Sequence, residues 1–425
     1  MALSVDEILG IDLADPVFAY NPSQASPLGT EVDWEGGTPR SGGAWEQSPQ
    51  GIYRRVGDGV VPINGSQQRL LVQAGQVTQA LRNSSNPPVW DESAGAVVGS
   101  TAREPLLTSN SHAVEPRVVY SDTSGSDGIF KQNGTFTATP EVYWSFVEHW
   151  SAETLRIRMQ ETGGNNTIAF IEVDLHQNDN NAPEVISSGG NVPDSFVRKV
   201  AEFGPNGGPV YLIKGAYDPG GQGVDGNGRR FIFYPDRNGN GDGTILHHAQ
   251  VETRSPNGTR GRTGPVVSGG GSVVRNESAF KIDVGNWWPE NELTLFMKMR
   301  LLSWSPKNIY NNPNANFLRL DNKSSRLWFR SKRPSSLSFR SEDESSNIAY
   351  SNNHSGFEDI TIAFSATPNE QRMASNGAGD KANHDGSWLT RPSKITIGSR
   401  LEHAEIGYVR ILPESYTLEQ LKSIT

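Results

Sequence analysis

A chain of 425 residues is too long for one ordinary core, and with no cysteine it has neither disulfides nor thiolate metal sites to brace it. Its net charge of −9, with no basic block, argues against nucleic-acid binding through phosphate contacts, and no run approaches the roughly 20 apolar residues of a membrane helix. The 45 glycines, 26 prolines and 35% hydrophobic content suit turn-rich alternating strands, while ten tryptophans and sixteen phenylalanines exclude disorder.

The N-terminal stretch MALSVDEILGIDLADP has no basic segment and no long apolar segment, so no signal peptide and assembly in a reducing cytoplasm are expected. Ser4 and Glu7 have capping-box spacing, which predicts a short helix over 4–10. Asp15-Pro16, Asn21-Pro22, Gly36-Gly37 and Gly42-Gly43 then punctuate the chain too densely for regular elements. Residues 1–50 therefore read as an irregular arm suited to docking on another protein.

From residue 51 the period becomes two. Arg69-Leu70-Leu71-Val72, Glu141 to Glu148, Leu155 to Met159, Thr167 to Leu175, Val210 to Ala216, Arg230 to Tyr234 and Ile245 to Val251 are short strands bounded by turn residues. Within them Trp144, and beside them Trp150, read as core. In His247-His248 strand alternation sends one ring inward and one outward. This series over 51–254 predicts a jelly-roll sandwich. Ser255-Pro256-Asn257-Gly258 and the arginines and glycines after it read as a hydrated linker. A second series over 266–425 includes Leu293 to Leu301, Arg326 to Arg330, Asp359 to Phe364 and Ile406 to Leu412. Thr417-Leu418-Glu419-Gln420 offers a second capping box and a closing helix. The expected fold is all-β, with two consecutive β-sandwich (jelly-roll) domains after an irregular arm.

Two constellations carry candidate chemistry. Asp236, Asn238, Asn240 and Asp242, with Gly241 at the sixth position, match the first half of a calcium loop, and Asp218, Asp225 and Asn227 are nearby oxygen donors. The twelfth position is His247 rather than a bidentate glutamate, and Asn-Gly between two strands is a strong hairpin signal, so a plain turn is the favoured alternative. Calcium is thus the single cofactor candidate. Trp287, Trp288, Trp304, Tyr310, Trp328 and Trp388 are candidate sugar platforms, because a pyranose face stacks on an aromatic ring. Two adjacent tryptophans on a strand cannot both face one core, so at least one of Trp287 and Trp288 is expected at a surface. Glu172-Val173-Asp174-Leu175-His176 is the nearest match to a glycosidase carboxylate pair but has histidine at its last position. Glu342-Asp343-Glu344 reads as a solvated turn, and no Gly-x-Ser-x-Gly elbow occurs.

The order of several motifs resembles a family of bacteriophage structural proteins. They are Arg55-Val56-Gly57-Asp58-Gly59, Leu70-Leu71-Val72-Gln73-Ala74, Gln79 to Ser84, Ala249-Gln250-Val251-Glu252 and Val273 to Ser278. This part is similar to a carbohydrate-binding-module-like domain of phage head and tail fibres. The ending, Ile395 to Gly398, Ile406 to Ile411 and Thr417 to Leu421, is similar to concanavalin A-like (laminin-G-like) lectin domains. His247-His248 and Gln73-Ala74 depart from the family pattern. The resemblance implies a virion fibre, spike or decoration protein assembled in the host cytoplasm. Its arm would join other virion proteins (portal, capsid or tail), and its sandwiches would bind host-surface polysaccharide without covalent chemistry. It also implies a homo-oligomer, a trimer by analogy with closed cyclic fibres. The rivals are a polysaccharide depolymerase and a purely architectural cement protein.

Overall fold

A computed structural model of the chain describes residues 18–20, 32–36, 44–47, 53–56, 63–64, 69–72, 77–79, 81–82, 84–93, 96–108, 113–121, 129–134, 141–161, 167–175, 182–190, 194–217, 229–253, 268–270, 273–275, 278–284, 286–301, 315–321, 325–333, 336–342, 347–352, 358–383, 387–397 and 404–425. The helix expected over 4–10 and the linker over 254–267 lie outside these residues. Strands dominate the rest, as the alternating sequence predicts.

The chain divides into two compact units, and neither is contiguous. One comprises Thr38–Asp58 and Gln76–Asn276; the other comprises Met1–Gly37, Gly59–Gly75 and Glu277–Thr425. The expected divisions, 1–50, 51–254 and 266–425, follow the sequence, whereas pairing takes the early strands into both units. Phe18–Tyr20 and Arg69–Val72 both pair antiparallel with Ala404–Leu412. Val32–Gly36 pairs with Ser278–Asp283. A strand of three to five residues carries an alternation but no record of its partner, so periodicity alone left Phe18–Tyr20 and Val32–Gly36 in an arm and put Arg69–Val72 in the jelly roll.

The first unit is a jelly-roll sandwich. One sheet runs, in spatial order, Asp194–Ala201, Val210–Tyr217, Glu141–His149, Gly243–Thr253, Arg117–Tyr120 and Val97–Ala102. The facing sheet runs Glu184–Gly190, Thr167–Asp174, Thr154–Glu161, Arg229–Tyr234, Ile129–Gly134 and Asp91–Ser93. Alternation sends Tyr143, Val147, Ile213, Leu246 and Val251 of the first sheet against Leu155, Ile157, Ile171, Val173, Phe231 and Phe233 of the second, all fully buried. The first sheet's other face is buried too. Trp144, Phe146, Val210 and Leu212 form a smaller apolar cluster there with Leu106 and Leu107.

A register shift on the Gly243–Thr253 strand opposes Phe146 to His248 and Val147 to Leu246, leaving His247 as the extra residue of a bulge. The bulge puts both histidine rings on the face that carries Trp144 and Glu148. The expected inward–outward split fails because alternation assumes an unbroken ladder.

The second unit is also a two-sheet sandwich. Ile63–Asn64, Arg69–Val72, Ala404–Leu412, Leu293–Leu301, Asp359–Ala366, Glu370–Ser375 and Ala378–Asn383 adjoin in that order. Facing them is a seven-stranded sheet of Val32–Gly36, Ser278–Asp283, Lys394–Ile397, Ala315–Leu320, Arg326–Arg333, Ser336–Glu342 and Asn347–Asn352. Leu295, Met297, Ile362 and Phe364 meet Leu318, Leu327, Ile395 and Ile397 across its core. The closing helix Leu418–Ser423 has the expected reciprocal cap: Thr417 Oγ1 accepts from the Gln420 N–H, and Gln420 Oε1 accepts from the Thr417 N–H. It lays Leu421 on Phe296, Ala363 and Leu412.

Candidate functional site

Of the predicted aromatic platforms, those whose side chains are described belong to the core of the second unit. Trp388 is 1% exposed and packs in the core with its ring 4.4 Å from that of Phe364. Trp288 is 4% exposed in the same core, and Trp287 packs half-buried against it, ring centroids 5.9 Å apart. Neither Trp288 nor Trp388 can stack on a sugar from these positions. The expectation that one of the two adjacent tryptophans must leave the core assumed a strand; residues 286–288 form a turn, where side chains need not alternate. Trp328 lies in the Arg326–Arg333 strand opposite Asn316 and Arg340, with its side chain outside the described residues. Trp304 and Tyr310 lie outside them altogether.

The candidate calcium loop is a carboxylate-nucleated turn. Asp236, 2% exposed, accepts the Asn238 N–H at Oδ1 (2.9 Å). Its Oδ2 accepts the Asn240 N–H (2.7 Å), the Asp242 N–H (3.4 Å) and the Ser121 hydroxyl (2.9 Å). With one donor on Oδ1 and three on Oδ2, the Asp236 carboxylate is bonded within its own turn, the arrangement of the plain-turn alternative. Asn238, Asn240 and Asp242 lend the turn backbone N–H groups, and Gly239 and Gly241 adopt positive φ (65° and 86°) to let the chain curl round the carboxylate. No group of three or more His, Asp or Glu side chains suited to an ion occurs among the described residues. Asp218, Asp225 and Asn227 lie outside them.

Exposed aromatic surface gathers instead at one rim of the jelly-roll unit. Trp150, expected in the core, is 42% exposed, and Phe203 is 74% exposed. Trp150 directly follows the Glu141–His149 strand, where the turn ends the alternation that buries Trp144. The Arg103 guanidinium lies 4.2 Å from the centre of the Trp150 ring, a cation–π contact. Phe203 stands on the adjoining loop, residues 202–209, which is drawn onto the strand end where the His149 N–H donates to Pro209 O (3.0 Å). The residue 237–243 turn is the third wall: the Ser151 and Ala152 N–H groups donate to Gly243 O (3.0 and 2.9 Å).

A buried hydrogen-bonded pair, Glu148 and His247, holds this rim in shape. The Glu148 carboxylate accepts the Asn206 N–H (2.9 Å), the Gly208 N–H (3.0 Å), the Asn206 amide (2.9 Å) and His247 Nε2–H (2.9 Å). His247 Nδ1 in turn accepts the Leu106 N–H at 3.2 Å, which places the ring hydrogen on Nε2. Both side chains are fully buried. Burial alone would raise the Glu148 carboxyl, but the hydrogen bonds from His247, Asn206 and the Gly208 N–H outweigh it and hold the group below the ordinary carboxylate value. Asn206 also bridges to residue 104, its Oδ1 accepting the Glu104 N–H and its amide donating to Glu104 O, both at 3.0 Å. Gly208 approaches so closely that a Cβ there would lie 2.3 Å from His149 O.

A second polar chain crosses the same sheet face. The Ser85 hydroxyl donates to His248 Nδ1 (2.7 Å), His248 Nε2–H to Gln250 Oε1 (3.0 Å) and the Gln250 amide to Glu252 Oε1 (2.8 Å), which also accepts Trp144 Nε1–H (2.7 Å). Ser85 and His248 have the spacing of a nucleophile and its base, yet both are fully buried, so no substrate reaches the hydroxyl. The candidate glycosidase carboxylate Glu172 is held by Arg156 (3.0 Å from Nε) and by Arg237 (3.6 Å). His176, Asp343 and Glu344 lie outside the described residues. Sequence reasoning missed Trp150 and Phe203, although the signal was present: Phe203 precedes Gly204-Pro205-Asn206-Gly207-Gly208-Pro209, a turn cluster that leaves an aromatic nowhere to bury.

No protein-family model and no curated protein matches the chain. Among solved structures, mouse laminin alpha1 chain, domains LG4-5, aligns with 82% of this chain and 94% of its own at 10% identity and a TM-score of 0.22. Bacteroides ovatus Xyloglucan PUL GH43B aligns with 94% of this chain and 99% of its own, also at 10% identity and TM-score 0.22. Likeness this slight carries no residue, ligand or activity across, and the β-sandwich fold stands on the chain's own strands.

Proposed function

We propose that the protein binds glycan without covalent chemistry, through the jelly-roll rim built around Trp150. The supporting observation is that Trp150 and Phe203 stay exposed on adjoining loops, while Trp90, Trp144, Trp288 and Trp388 are buried. An exposed indole costs free energy unless a ligand or partner covers it, and a pyranose ring presents the flat C–H face that such a surface accepts. The exposed Asn238 and Asn240 and the half-buried Arg103 and His149 border it with hydrogen-bonding groups suited to hydroxyls. The Glu148–His247 pair supports the reading further, because it fixes the loop at no cost on binding. In this reading the rim takes the role first expected of Trp287, Trp288, Trp304, Tyr310, Trp328 and Trp388.

The sequence resemblance to phage fibres extends the proposal. Such a binder serves as a fibre, spike or decoration protein on a particle, joined to other virion proteins and oligomeric, with many copies offsetting weak single-site affinity. That extension rests on the resemblance alone, and a micrograph of particles labelled with antibody to this chain tests it.

The binding proposal is tested by affinity electrophoresis of the full chain through gels containing polysaccharide. Trp150→Ala is expected to weaken retention about tenfold or more at unchanged melting temperature, as for aromatic anchors at other interfaces. Release of new reducing ends from the polymer would show instead that the protein cuts what it holds.

A further inference from the structure

The turn cluster Gly204-Pro205-Asn206-Gly207-Gly208-Pro209 is folded against Glu148, on the strand that leads into Trp150. Within it the Gly204 N–H donates to Gly208 O (2.6 Å) and the Gly207 N–H to Gly204 O (3.0 Å), with Gly207 at a φ of 92°. A Cβ on Gly204 would lie 2.6 Å from the Glu148 carboxyl carbon, so glycine is what lets the backbone press against that carboxylate. Asn206 is half-buried at the centre of the turn, and its amide is fully committed. One Nδ2 hydrogen goes to Glu148 Oε2 (2.9 Å) and the other to Glu104 O (3.0 Å), while Oδ1 accepts the Glu104 N–H (3.0 Å). No donor remains on that side chain for a sugar hydroxyl. What the amide joins are two flanks of the exposed indole. Phe203 stands on the turn's own loop, and Arg103, whose guanidinium lies over the Trp150 ring, directly precedes Glu104.

We propose that Asn206 is a positioning residue of the glycan site: it locks the Phe203 loop to the Arg103 segment, and binding depends on that lock. This rests on the rim being the binding surface. A side chain that must be ordered when ligand arrives costs affinity, and a tie that orders it beforehand removes the cost. The backbone contacts do not supply this tie. Without the Asn206 side chain, the Asn206 and Gly208 N–H groups still anchor the loop on Glu148. The Arg103 and Leu106 N–H groups still hold their segment on Pro116 O and His247 Nδ1. Loss of the amide therefore leaves each flank attached and frees one to move against the other.

The full chain is run through gels containing dextran, galactan, xylan or dextran sulfate, and each polymer that retards it is used for the variants. Asn206→Ala is expected to weaken retention about tenfold, the cost of ordering two side chains on binding. In chains already carrying Phe203→Ala or Arg103→Ala, the same change is expected to cost about threefold or less, because one of the flanks it serves is gone. A loss of equal size in all three backgrounds, or no loss in the first, overturns the inference and leaves the rim a glycan site. Should Asn206→Ala melt well below the parent chain, Asn206→Asp takes its place. That variant keeps an acceptor for the Glu104 N–H but sets a carboxylate oxygen against Glu148, which His247 faces from the other side. Its retention is expected to be weak at about pH 8 and to recover at about pH 5.5, as the two carboxylates take up one proton and the new O–H replaces the lost N–H donor. Retention as strong as the parent chain's at both pH values, or equally weak at both, overturns the inference. Failure of every polymer to retard even the parent chain overturns the binding proposal itself, and the inference falls with it.

Discussion

His248 shows how a single residue ties the jelly-roll unit to pH. It is fully buried between Ser85 and Gln250, and burial lowers its pKa from 6.5 to about 4, against the opposing pull of the Gln250 hydrogen bond and the Glu252 charge. The unfolded chain therefore binds a proton below pH 6.5 that the folded chain refuses until about pH 4. The stability this group contributes is whole above pH 6.5, falls as pH drops through that window and is gone below it, a loss of about 3 kcal/mol. Glu148 works in the same direction lower down, since its folded carboxyl sits below the ordinary value. Denaturant midpoints measured from pH 7.5 to 4 are expected to fall accordingly, and His248→Gln is expected to flatten that slope. An unchanged slope in the variant would assign the acid loss elsewhere. The histidine pair was visible in the sequence, but its burial and its shared face were not, because a one-residue bulge leaves no mark in composition or period.

The turn built on Asp236 is decided at the scale of the element. Its Asp-x-Asn-x-Asn-x-Asp spacing serves a cation-binding loop and a self-capping turn equally well, since both place oxygens and glycines at alternate positions. Here backbone N–H groups bond the carboxylate, the pattern of the self-capping turn. Asp236→Ala strips acceptors from the Asn238, Asn240 and Asp242 N–H groups and from the Ser121 hydroxyl. It is expected to cost about 1–3 kcal/mol in equilibrium unfolding. A chelator is expected to leave the wild-type melting temperature where it was; a fall on adding EDTA would restore the cation reading. The strands themselves were the most legible elements. Leu155 to Met159 and Thr167 to Asp174 fold as their alternation predicts, because a half-buried strand writes its two faces directly into the sequence. The Thr417 cap was equally plain, its four residues being contiguous.

For the whole molecule, the early chain belongs to both compact units. A chain beginning at residue 76 loses Phe18–Tyr20, Val32–Gly36, Ile63–Asn64 and Arg69–Val72 from one unit and Ala44–Gln47 and Tyr53–Val56 from the other. Stripping paired strands bares ladder edges and apolar surface, so scanning calorimetry is expected to show the truncated chain melting at least about 5 °C lower. Melting at the full-length temperature would return residues 1–75 to the role of a dispensable arm. The sequence by itself determined that the protein is all-β, that it forms two sandwiches, which residues alternate into their cores, and that a capped helix closes the chain. These follow from local periodicity and turn chemistry, which act over a few residues. Only the tertiary structure decided which strands join which sheet, that Trp288 and Trp388 are core while Trp150 and Phe203 are surface, and that Glu148 finds His247. Those outcomes depend on pairing and burial between residues far apart along the chain, and a tryptophan is spelled the same whether a core or a rim awaits it.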